Sequence, residues 1–172
     1  MNLIDGGMSM IKFYSFHGIV TMINDFMISA KGEGEGCYKL MSVEDEQGAT
    51  VNFMISPTTY FVEQEMVSVG DKVTGYYDGN APAILIYPPQ FTALVMVKDS
   101  PHYNVKVDFF NSQLVSSDEK LKLNISAFTQ IVLPNGQPFS KIATNRNLIV
   151  LYGPSTKSIP AQTNPYKIIV WC

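Results

Sequence analysis

Two histidines, His17 and His102, are the only imidazoles in the chain. General acid–base chemistry near neutral pH would start from one of them. His17 lies beside Gly18 in a strand-like run, and His102 follows Ser100-Pro101. Neither has a carboxylate or nucleophile at a recognisable spacing, and Asp25, Asp78 and Asp108 stand isolated among apolar or turn residues. No Ser-His-Asp order, HExxH pair or phosphate loop occurs. A small hydrolase built on either histidine is therefore the weaker reading, and no catalytic residue is assigned.

Metal chemistry finds little to work with. Cys37 sits in a Gly-rich stretch and Cys172 is the last residue. Without a CxxC or Cys/His spacing they read as free thiols, not as zinc ligands or a disulfide framework. The alternating Gly and Glu of residues 31–36 supply only Glu33 and Glu35, fewer oxygen ligands than calcium takes, so the stretch reads as a flexible hairpin tip. Met8 and Met10 offer thioethers suited to Cu(I), a weak set at one end of the chain. Met22, Met41, Met54 and Met96 fall at strand positions and read as core filler. No cofactor or metal is expected.

Aromatic and proline residues make the better candidate surface. Tyr77, Tyr87, Pro88, Pro89, Gln90 and Phe91 cluster in one loop and its flanks, and Tyr152, Pro160, Gln162 and Tyr166 cluster in a second. Rigid proline among aromatic rings presents contact area at low entropic cost, which suits a protein or glycan partner. The plainer alternative is that both loops close the ends of barrels, with proline terminating strands and guarding an edge. Single-stranded nucleic acid would need stacking platforms, for which Tyr38, Phe53, Tyr60 and Phe61 are available, together with a basic funnel. A net charge of −3 with no run of basic residues argues against nucleic acid.

These residues must be positioned by strands. Runs rich in Val, Ile, Tyr, Phe and Thr recur at short spacing, each closed by Gly, Pro, Asn or Asp, which predicts an all-β fold. Strands are expected at 14–26, 38–44, 50–55, 72–77, 83–87 and 91–97, then at 104–111, 120–126, 147–152 and 166–171. Gly48 in the 44–49 turn calls for a positive φ, Asn135-Gly136 signals a tight turn, and Ser56-Pro57 is suited to start a helical turn.

The second half echoes the first. Ile55-Ser56-Pro57-Thr58-Thr59-Tyr60-Phe61-Val62 aligns with Ile125-Ser126-Ala127-Phe128-Thr129-Gln130-Ile131-Val132, and Tyr87-Pro88-Pro89-Gln90 with Ile159-Pro160-Ala161-Gln162. This predicts two tandem small barrel-like modules related by internal duplication, an OB-like module at 1–99 and a smaller one at 100–172. No apolar run approaches the roughly 20 residues of a membrane helix. The first residues lack the basic and apolar regions of an export signal, so the cytoplasm is expected, or the envelope if a signal has been trimmed.

The phrases Val69-Gly70-Asp71-Lys72-Val73-Thr74-Gly75-Tyr76-Tyr77, Ile84-Leu85-Ile86-Tyr87-Pro88-Pro89-Gln90 and, in the second half, Tyr152-Gly153-Pro154 and Ser158-Ile159-Pro160-Ala161-Gln162 carry a resemblance. They resemble uncharacterised β-rich domains of Firmicutes, found in envelope or secreted proteins beside copper-amine-oxidase N-terminal-like stalk modules. The resemblance runs from about Phe16 onward and implies a non-catalytic β domain, with no active-site residues to carry over. The expectation is a non-enzymatic interaction or ligand-binding protein. A structural protein that self-associates as a homo-oligomer through uncharged strand edges is the alternative.

Overall fold

The computed structural model describes residues 11–27, 32, 34–82 and 86–172. The chain is all-β and falls into two compact units, Met1–Asp99 and Ser100–Cys172. In the first, β1 (Phe13–Asp25), β2 (Lys39–Glu44) and β3 (Thr50–Ile55) form an antiparallel meander, followed by β4 (Tyr60–Phe61), β5 (Lys72–Asp78), β6 (Gln90–Thr92) and β7 (Val95–Lys98). They make one seven-stranded sheet in the order β4-β7-β5-β1-β2-β3-β6. The length of β1 lets its first half pair with β5 and its second half with β2, and a register shift between Val20 and Met22 bends it between the two. β6, at one edge, and β7, beside β4 at the other, belong to one stretch of chain interrupted at Ala93–Leu94, where the expected continuous strand 91–97 breaks. Ala93 N–H still reaches Met54 O on β3, and Leu94 N–H reaches Tyr76 O on β5.

Alternate residues of these strands build the core. Val43, Phe53 and Val73 are fully buried, with Val20, Met41, Val51 and Ala93 beside them. A fully buried apolar side chain contributes about 1.5–3 kcal/mol. Phe53 needs room, and Gly75 opposite supplies it: a Cβ at position 75 would lie 2.5 Å from the Phe53 ring.

The second unit repeats the ladder with β8 (Asn104–Phe110), β9 (Leu121–Leu123), β10 (Gln130–Val132), β11 (Arg146–Tyr152), β12 (Ala161–Thr163) and β13 (Lys167–Trp171). As β1 pairs with β5 and β5 with β7, so β8 pairs antiparallel with β11 and β11 with β13. As β3 and β6 run parallel, so do β9 and β12, and as β4 runs parallel to β7, so does β10 to β13. What differs is β2, replaced in the second unit by a loop held through isolated bridges such as Phe110 with Ser116. The core of this unit is Phe110, Leu121, Leu123, Leu148, Val150 and Ile168 with their neighbours. Leu123 takes the register position of Phe53 and Val150 that of Gly75.

One side-chain device recurs at both junctions. Thr59 Oγ1 accepts Ser56 N–H at 3.0 Å and donates to Ala93 O at 2.8 Å. Thr129 Oγ1 accepts Ser126 N–H at 3.2 Å and donates to Pro165 O at 2.9 Å. The Ser56-Pro57 segment is thus a turn tied to the break between β6 and β7, not the start of a helix. The short helical turn lies later, at Val62–Gln64. Of the expected strand 83–87, residues 83–85 lie outside the described residues and Tyr87 sits in a bend. The 120–126 strand is confined to Leu121–Leu123, since Ser126 closes the junction turn. Gly48 and Gly136 have φ of 85° and 87°, as their turns require.

Candidate functional site

Between β5 and β6 the sheet of the first unit splits. β5 pairs with β7 only as far as Tyr76, opposite Val95. Beyond it, Asp78 O turns to accept Ala81 N–H, so the ladder does not continue onto β6. The split forms a groove of about 480 Å³. Tyr77, Asp78 and Pro82 line it from β5 and the turn that follows, Gln90, Phe91 and Thr92 from β6, and Met54 from β3.

The aromatic lining is mutually braced. Tyr77 and Phe91 stack with centroids 3.9 Å apart and planes 8° from parallel. Tyr14 meets Tyr77 edge-on at 6.0 Å, and Phe53 tilts against it from the core at 6.2 Å. Such pairs add about 0.5–1.5 kcal/mol beyond their buried area. Burial, and secondarily the neighbouring Tyr14, raises the Tyr77 phenol above its ordinary range, so it remains a neutral hydrogen-bonding group at physiological pH. The Asp78 carboxylate accepts Asn80 N–H at 2.9 Å and Lys12 N–H at 3.2 Å, which fixes the wall and places an anionic group at the groove.

Of the sequence candidates, Tyr77, Gln90 and Phe91 come together here. Tyr87 and Pro88 do not line the groove; Tyr87 is 78% exposed, and the Tyr87–Pro88 peptide is cis. Pro89 serves the ladder, its carbonyl accepting Asn52 N–H. In the second unit Tyr152 packs against the core, and its phenol is raised by burial and then by Asp118. Pro160 follows a cis bond of its own. Gln162 has its side-chain oxygen on Asn124 Nδ2 and its backbone on Thr156. Tyr166 is half-exposed, with its hydroxyl over Gly153. Met54, expected as core filler, is only half-buried and lines the groove from β3, while Thr92, next to Phe91 on β6, was not singled out; the period-2 pattern puts Tyr77 and Phe91 inward but does not show that β3 shares their groove.

Several sequence readings are corrected. Phe53 is fully buried and offers no stacking face. His17 is not without a carboxylate: its Nε2 lies 3.0 Å from Asp99 Oδ2, a contact across 82 residues. This exposed pair stands beside a second concavity of about 540 Å³ lined by His17, Glu44, Glu46 and Lys72. Asp25 pairs with Lys39, and Asp108 accepts Phe109 and Asp118 N–H groups. Cys37 and Cys172 are both free and exposed. Glu33, Met8 and Met10 lie outside the described residues. Among the described residues, no group of three His, Cys, Asp or Glu side chains is placed to hold a metal ion, and no helix is long and apolar enough to cross a membrane.

Compared with models of known protein families and with curated proteins, the chain matches none.

Proposed function

We propose that this chain is a non-enzymatic binding protein whose ligand site is the groove between β5 and β6 of an OB-like first unit. The strand order supports the OB-like reading. A three-stranded meander is followed by a strand returning to β1, and a last stretch runs parallel to the third strand and antiparallel to the fourth. The matching ladder of the second unit supports an origin by internal duplication.

The braced Tyr77–Phe91 pair at the wall of an apolar groove is the observation that carries the proposal. Concave apolar sites with a few placed polar groups are what small ligands and peptide segments occupy. The titratable lining groups are Tyr77, held neutral, and Asp78, committed to holding two backbone N–H groups. Both serve recognition better than proton transfer. The acidic balance of the chain and Asp78 favour a neutral or basic partner, protein or glycan.

The test is aromatic and methyl NMR of the full chain titrated separately with cellohexaose and with short neutral or basic peptides. Saturable shifts confined to Tyr77, Phe91 and Met54, weakened in Gln90→Ala with the fold intact, support the reading. Shifts elsewhere only, or none, overturn it. Self-association is the second reading. Phe128, Ile142 and Ile159 of the second unit are 94%, 74% and 92% exposed, so light scattering should report concentration-dependent mass if they form an oligomer contact.

A further inference from the structure

The groove has a backbone wall as well as an aromatic one. Asn52 N–H bonds to Pro89 O, and Ala93 N–H to Met54 O. In a parallel ladder this alternation turns Phe91 toward β3 and the N–H and C=O of Gln90 and Thr92 the opposite way. That opposite side is an edge of the sheet, and among the described residues no strand pairs with it.

The second unit shows what such an edge accepts. There Ala161 N–H bonds to Lys120 O and Asn124 N–H to Thr163 O, so Gln162, at the register position of Gln90, also faces away from its partner strand. Its edge is covered by the chain's own loop: Thr156 N–H donates to Gln162 O at 2.9 Å, and Thr156 Oγ1 accepts Gln162 N–H at 2.9 Å.

Resting on the binding role proposed above, we infer that the groove takes an extended peptide segment of a partner protein. The segment adds along β6 and presents an N–H to Gln90 O and a Ser or Thr hydroxyl, or a carbonyl, to Gln90 N–H. The occupant is the intermolecular counterpart of Thr156. Strand addition of this kind draws affinity from main-chain bonds and selectivity from alternate side chains. Those side chains meet Tyr77, Phe91 and Met54, while Asp78 favours a basic residue and disfavours an acidic one.

The probe is the acetylated, amidated hexapeptide Gly-Pro-Ser-Thr-Lys-Ser, the sequence of residues 153–158, titrated at millimolar concentration into the isotope-labelled full chain. The control is the same peptide N-methylated at its Thr, and cellohexaose is run in parallel. The inference expects the Gln90 and Thr92 amides to shift and to exchange more slowly. It also expects the N-methylated peptide to bind about tenfold more weakly, the effect of one hydrogen bond. If Tyr77, Phe91 and Met54 respond to either probe while those amides do not, or if N-methylation changes nothing, strand addition is wrong and the groove reading stands. If neither probe shifts any groove signal, both readings fall.

Discussion

Exchanging Phe53 and Gly75 for the pair that occupies their positions in the second unit tests the shared packing of the two units. Phe→Leu removes as many side-chain carbons as Gly→Val adds, so Phe53 with Gly75 and Leu123 with Val150 fill their sites with equal carbon counts. Phe53→Leu alone should cost about 2.4 kcal/mol or more, from three lost carbons at about 0.8 kcal/mol each, a cavity cost and lost ring contact adding to that. Gly75→Val alone drives atoms to within 2.5 Å of a fully buried ring that has nowhere to go. Overpacking of this kind costs about 1–3 kcal/mol. The double variant should relieve both defects and lie within about 1 kcal/mol of wild type, giving a coupling energy of roughly 2 kcal/mol or more. Urea unfolding of the four proteins, monitored by circular dichroism, measures the cycle. Additive costs would refute the reasoning, because they would mean that position 75 and the Phe53 ring do not compete for one space.

Other perturbations have defined outcomes. Thr59→Val and Thr129→Val should each cost about 1–3 kcal/mol in the same assay, since each strips a donor and an acceptor from a junction. His17→Ala should cost less than about 1 kcal/mol, as exposed ion pairs do, and a larger loss would show the Asp99 contact to be more than a surface pair. Burial, abetted by the Asp118 charge and opposed by two N–H bonds, raises the Asp108 carboxyl above its unfolded value. The folded state then holds that proton more tightly, so stability should fall as pH rises from about 4, the ordinary carboxylate value, through the raised folded one. Asp108→Asn should abolish that part of the slope in thermal melts across pH, whatever constant offset the lost acceptor introduces.

The matching junction turns could be read from sequence because their residues are chemically specific. Ser56 with Thr59, and Ser126 with Thr129, sit at fixed spacing, and a hydroxyl at the second position is needed to bridge a turn and a distant carbonyl. Long strands such as β1, β3 and β11 were readable from β-branched and aromatic runs between turn residues. β4, β10 and β12 were not, since two or three residues show no period, and β6 was merged with β7 into one strand; the parallel pairing of all four is fixed by partners far along the chain. The same distance hid the His17–Asp99 contact. The groove was half readable: Tyr77, Gln90 and Phe91 lie in the aromatic loop and its flanks, whereas Met54 enters from β3, and nothing local shows that the ladder parts after Tyr76. The outward edge of β6 follows from hydrogen-bond alternation, a property of the assembled sheet.

The binding role of the first unit is tested most directly through the Met54 methyl group, since Met54 lines the groove. Its NMR signal should move saturably on titration with the probe peptide or cellohexaose in the wild-type chain, and should respond far more weakly in a folded Phe91→Ala variant that lacks the stacked wall. An unchanged response in Phe91→Ala, or a Met54 methyl that stays still while ligand-induced shifts appear elsewhere, would contradict it.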